Sequence, residues 1–72
     1  LWGKNMKFYW ATWNGDLLCI VNGYELEIKD GRVWSIPYKK DPIATGRCSS
    51  FLQGKILVEA LVNAHRVLTQ GV

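Results

Sequence analysis

The sequence predicts an α+β fold: an antiparallel three- to four-stranded β-meander followed by one C-terminal α-helix packed on one sheet face. Two observations predict the sheet. Asn14-Gly15, Asn22-Gly23 and Asp30-Gly31 punctuate the first half of the chain, and such pairs are strong hairpin signals because they accept the positive φ of tight turns at little steric cost. The stretches between them are rich in aromatic and aliphatic strand formers. A third observation predicts the helix. Beyond about residue 50 the apolar residues recur at helical rather than alternating spacing. With 72 residues and 8.2 kDa, the chain reads as a single small domain, 1–72, with the sheet over about 6–38, a basic loop over 39–48 and the helix over about 50–69.

The first strand is the nearly all-aromatic run from Lys7 to Trp13, and the second is the aliphatic run from Leu17 to Val21. In the third, Tyr24, Leu26 and Ile28 alternate with Glu25, Glu27 and Lys29, so the first set faces the core and the second faces water. Two-residue loops at Asn22-Gly23 and Asn14-Gly15 then pair Cys19 with Leu26, Leu17 with Ile28 and Trp10 with Cys19. The fourth strand, Arg32 to Tyr38, carries Val33, Trp34 and Ile36. A three-residue loop, Lys29-Asp30-Gly31, pairs Leu26 with Trp34 and Tyr24 with Ile36 and buries both partners. Tyr9, Ala11, Trp13, Leu18 and Ile20 remain on the opposite face beside Glu25 and Glu27, leaving that face more apolar than solvent exposure alone explains.

Lys39 to Arg47, with Pro42 and Gly46, reads as an exposed basic loop. Ser49 or Ser50 caps the helix, and Gly71 fits its stop. At 100° per residue, Leu57, Ala60, Leu61, Ala64, Val67 and Leu68 share one face with Ile56 at its margin, and this face is expected on the sheet. Lys55, Glu59, Asn63 and Arg66 lie opposite, and Phe51, Val58 and Val62 form an extra apolar flank. On this arrangement Leu61→Ala or Trp10→Ala costs about 2–5 kcal/mol, and Gly54 weakens the first helical turns by about 1 kcal/mol.

The chemistry-bearing residues are few. Cys19 and Cys48 allow one disulfide at most and His65 is the single histidine, so a four-ligand zinc site within one chain is not expected. Cys48 and His65 are separated by 17 positions, about 25 Å along a helix, too far for a Cys–His pair. Cys19 reads as a small buried hydrophobe, and His65 as a half-buried structural or interface residue. Glu25 and Glu27 project the same way about 7 Å apart, but on an open sheet face where strand alternation accounts for them. No phosphate loop, Gly-x-Ser-x-Gly turn, EF-hand or His-Glu-x-x-His occurs. The expectation is a protein that is not an enzyme, with no cofactor, no metal and no small-molecule substrate.

Two binding readings remain. The first is a small interaction module that binds a protein partner or forms a homodimer through Tyr9, Trp13, Leu18 and Ile20 on the sheet and Phe51, Val58 and Val62 on the helix. The second is a DNA- or RNA-binding domain. The net charge of +3 and pI of 9.1 permit polyanion binding, with Lys7, Lys39, Lys40 and Arg47 on phosphates, Lys4 nearby, and Trp2, Tyr9, Trp13 or Tyr38 available to stack on bases. The order of elements, a small antiparallel sheet followed by one helix, resembles the arm-binding domains of phage-type integrases. That resemblance covers topology alone and implies phage- or mobile-element-like DNA contact through the sheet. The sequence has no apolar run of about 18 residues to cross a membrane and no visible secretory signal, and with reduced thiols the expected setting is cytoplasmic.

Overall fold

The computed structural model describes residues 7–70; Trp2, Lys4 and the helix stop expected at Gly71 lie outside them. Five strands and one helix follow in chain order: β1 (Ala11–Trp13), β2 (Asp16–Val21), β3 (Tyr24–Lys29), β4 (Val33–Tyr38), β5 (Asp41–Arg47) and α1 (Phe51–Gln70). The strands form one antiparallel meander in the order β1-β2-β3-β4-β5. The sheet thus has five strands where the sequence predicts three to four.

The extra strand replaces the expected basic loop. Each of the four hairpin turns holds two consecutive residues at positive φ: Asn14-Gly15, Asn22-Gly23, Asp30-Gly31 and Lys39-Lys40. The first three carry residues that tolerate this conformation, whereas the fourth uses two lysines at φ 50° and 72°, so no turn signal marks it. Pro42 sits near the start of β5, an edge strand, where a missing N–H costs least. It faces Pro37 where the register shifts beyond Ile36, so both prolines fall at an irregularity that tolerates them.

The β2–β3 register is the expected one, with Cys19 opposite Leu26 and Leu17 opposite Ile28. β1 keeps the expected register to β2, pairing Thr12 with Leu17, but only three residues are paired. Ahead of them Phe8 and Trp10 still pack on the core. The β3–β4 pairing differs from expectation by two residues: Ile28 meets Trp34 and Tyr24 meets Tyr38. The chain reverses at Asp30-Gly31, and Arg32 N–H closes the turn on the Lys29 carbonyl at 2.9 Å. Arg32 is therefore the extra residue, and Lys29 stays in the ladder opposite Val33. A shift of two preserves side-chain parity, so Trp34 and Ile36 are buried as expected.

Ser50 Oγ accepts from Gln53 N–H at 3.1 Å, while Gln53 Oε1 accepts from Ser49 N–H at 2.6 Å. This reciprocal pair starts α1 where the sequence places its cap. The helix faces the other way from the expected arrangement. Val58 and Val62 are fully buried, whereas Leu57, Ala60, Leu61, Ala64, Val67 and Leu68 are exposed. The sheet layer beneath α1 is thick with Tyr24, Ile28 and Trp34, and a thin ridge fits it better than leucines do. Gly54 shows how close the approach is: a Cβ there would lie 3.0 Å from both Cys48 Sγ and Ile28 Cδ1. Two polar contacts fix the rotation from either flank of this ridge. Trp10 Nε1–H donates to Glu59 Oε2 at 2.8 Å, and Tyr24 Oη lies 2.6 Å from His65 Nδ1. Burying Val58 and Val62 stabilises the domain by roughly 1.5–3 kcal/mol each.

Candidate interaction surfaces

The rotation of α1 decides which residues meet solvent. Phe51, Val58 and Val62, expected to face a partner, are instead intrachain: the two valines belong to the core and Phe51 packs half-buried against it. Phe51 lies over Gly31, where a Cβ would come within 3.2 Å of its ring. The surface apolar residues of the helix are Leu52, Ile56, Leu57, Leu61, Val67 and Leu68, with Leu68 84%, Leu52 65% and Ile56 61% exposed. Ala60 and Ala64 lie between them, also exposed. At 100° per residue these eight positions span an arc of about 180°. The charged residues Lys55, Glu59 and Arg66 all project within about 40° of one another, on one side of the helix.

The second surface is the sheet face opposite α1. Tyr9, Trp13 and Ile20 are 78%, 65% and 79% exposed, and Leu18 is half-buried among its neighbours. Strand pairing sets Leu18 beside Ala11 and Glu27, and Ile20 beside Glu25. A shallow depression of about 240 Å³ lies over Leu18, Ile20, Glu25, Glu27 and Pro37, and another of about 230 Å³ over Pro37, Pro42, Ile43 and Thr45. The face is apolar but interrupted by carboxylates, which oppose phosphate.

The four basic residues of the nucleic-acid reading are exposed but do not form one group. Lys39 and Lys40 make the β4–β5 turn, which abuts the β2–β3 turn through Lys39 N–H donating to Gly23 carbonyl at 3.0 Å. The Lys39 ammonium sits 5.3 Å from the Tyr38 ring centroid. Arg47 ends β5 opposite Val33, about 20 Å from that turn at 3.3 Å per residue. Lys7 precedes β1.

The polar chemistry of the interior is committed to structure. Tyr24 is buried, and its ring stacks against Tyr38 at 4.4 Å and meets His65 edge-on at 5.5 Å. Burial foremost, then the neighbouring Tyr38, pushes the Tyr24 phenol above its ordinary value of 10.0. The phenol therefore stays protonated, hydrogen-bonded to His65 Nδ1 at 2.6 Å. Burial likewise raises the Cys19 thiol above 9.0, partly offset by the Tyr9 backbone and reinforced by Glu59. Cys48 Sγ donates to the Gly31 carbonyl at 3.3 Å, and both cysteines are free. Among the described residues no cluster of three or more His, Cys, Asp or Glu is placed to hold a metal ion, and no helix is long and apolar enough to cross a membrane.

Periodicity alone did not reveal the apolar outer face of α1, because both faces of this helix are apolar. One signal could have revealed it: Gly54, Val58 and Val62 at four-residue spacing form a ridge of small side chains, suited to a sheet layer rich in aromatic rings. Comparison with protein-family models, with curated proteins and with solved structures finds no match to this chain.

Proposed function

We propose that this domain is a non-enzymatic protein-interaction module that docks through the outer face of α1. The observation that carries this reading is the apolar arc of Leu52, Ile56, Leu57, Leu61, Val67 and Leu68, free of charge and facing solvent. A helix with apolar residues on two broad faces, its charges confined to a narrow edge and Gln53 and Asn63 interrupting the outer arc, belongs between two packed layers, and the sheet supplies one of them. The acidic, partly filled sheet face is the weaker surface, since Glu25 and Glu27 lie among its apolar residues. A non-catalytic role is supported by the engagement of His65 with Tyr24 and of Cys48 with Gly31.

The test is a photo-crosslinking side chain at Leu61, with one at Trp13 for comparison, in the native host. The reading expects a discrete adduct of defined mass at Leu61 that disappears when Ile56→Glu is added. A Leu61 adduct that survives Ile56→Glu, or discrete adducts at Trp13 alone, overturns it.

One observation favours nucleic acid as a second reading. Lys39 and Lys40 occupy a turn that Asn-Gly would form at lower conformational cost, as expected if two cations are needed there. Salt-sensitive quenching of tryptophan fluorescence by oligonucleotides, lost in Lys39→Asn/Lys40→Gly, would support it; a flat titration at low salt would dismiss it.

A further inference from the structure

The outer face of α1 carries a pattern that identifies its occupant. Along the i, i+4 ridge stand Ile56, Ala60, Ala64 and Leu68, a large-small-small-large series that reads the same in both directions about the level of Val62. A two-fold contact requires this property, because residue i must meet residue j wherever j meets i. We propose that a second copy of this chain docks on this face, with the two α1 helices antiparallel and the axis passing at the level of Val62. The proposal rests on the docking reading above and names its partner.

In this arrangement Ala60 of each copy meets Ala64 of the other, twice over, and Ile56 meets Leu68 at both ends. The alanines let the helices approach closely at the centre, where ridges on the i, i+4 rows interdigitate at interaxial distances of about 8–10 Å. The antiparallel orientation also sets the helix dipoles favourably, whereas a parallel pair opposes them. Lys55, Glu59 and Arg66 lie on the far side of the helix from the seam, so no charge is buried.

The area reaches the lower edge of what a specific dimer needs. The exposed fractions of the six large apolar residues, 37% to 84%, amount to roughly 600 Å² per copy, so a pair that covered all of them would bury at most about 1,200 Å², the lower end of the roughly 1,200–2,000 Å² of stable specific interfaces. Association also addresses the smallness of the core, eight buried side chains among the described residues, since domains of this size commonly gain stability by oligomerising.

The experiment measures the solution mass of the purified full chain and of three variants, Ala60→Glu, Ala64→Lys and Ala60→Lys. Ala60 and Ala64 are exposed, and far-UV circular dichroism checks that each variant keeps the wild-type fold. Wild type is expected at twice 8.2 kDa, and each variant at 8.2 kDa, with dimer affinity weakened about 100-fold or more by a buried unpaired charge. Mixing Ala60→Glu with Ala64→Lys restores the dimer, because the new charges meet across the antiparallel seam. Restoration by Ala60→Glu with Ala60→Lys instead means a parallel pair and overturns the proposed arrangement. A wild-type chain that is monomeric while the Leu61 crosslinker still yields its Ile56-dependent adduct overturns the second-copy partner and leaves the docking reading standing. A wild-type dimer untouched by all three variants has its seam elsewhere and overturns the second-copy contact on this face, while the docking reading stands or falls on the Leu61 adduct.

Discussion

Gly46→Ala is a sharp test of the fifth strand. Gly46 lies in β5 directly opposite Trp34, and a Cβ added to it would stand 2.5 Å from Trp34 Cζ2 and 2.7 Å from Cε2. The indole has little room to retreat: it is 91% buried, and its Nε1–H donates to the Arg47 carbonyl at 3.3 Å. Relief therefore requires β5 to lift from the sheet or the ring to leave its position. Overpacking of this kind costs about 1–3 kcal/mol, and loss of the indole hydrogen bond adds about 1 kcal/mol. The expected destabilisation is therefore about 2–4 kcal/mol, a large part of the total stability of a small domain. Urea unfolding followed by tryptophan fluorescence reads it as a lower midpoint at unchanged slope. A Gly46→Ala protein within about 0.5 kcal/mol of wild type would refute the packing of β5 against Trp34, because an exposed loop, as expected from the sequence, would accept alanine freely.

Three further perturbations separate other parts of the account. Val58→Ala should cost about 2–3 kcal/mol through lost burial and a cavity, while Leu61→Ala, measured where the chain is monomeric, should cost under about 1 kcal/mol; the reverse order in chemical unfolding would put the leucine face back in the core. Lys40→Gly should stabilise the domain by about 0.5–1 kcal/mol by relieving a left-handed lysine at φ 72°, and a lower melting temperature would show that the turn is not strained. Stability should fall at alkaline pH. The Cys19 thiol and Tyr24 phenol titrate above 9.0 and 10.0 in the fold, so the unfolded chain loses those protons first. Their contribution is complete below about pH 9 and is lost as pH rises through the folded values. Cys19→Ala should flatten the onset of that decline, and an identical pH profile in the variant would remove Cys19 from it.

How far the sequence could be read follows from where its local signals were unambiguous. Three hairpins were legible because Asn14-Gly15, Asn22-Gly23 and Asp30-Gly31 name their turns chemically. The fourth was not, since Lys39-Lys40 adopts the same geometry without the residues that advertise it. Strand alternation correctly put Tyr24, Leu26, Ile28, Trp34 and Ile36 inside, and it held even where the β3–β4 pairing differed by two residues. The helix and a cap at Ser49 or Ser50 were legible, but its rotation was not. Periodicity favours the greasier face, whereas the aromatic sheet layer selects the slimmer ridge of Gly54, Val58 and Val62, held by Glu59 on Trp10 and His65 beside Tyr24. The exposed Tyr9, Trp13 and Ile20 were anticipated, while the outer face of α1 emerged only once the valines were seen to be buried.

The central claim is that α1 turns its valines inward and offers its leucines to a second copy. Sedimentation velocity of wild type and Leu61→Glu over roughly 1–100 μM, a range that spans micromolar affinities, with far-UV circular dichroism on the same samples, tests it most directly. The wild-type mass is expected to rise from 8.2 kDa toward twice that value, and a folded Leu61→Glu chain to stay at 8.2 kDa throughout. An unfolded Leu61→Glu chain would place the leucine face in the core, and a wild type that never exceeds the monomer mass would remove the second copy.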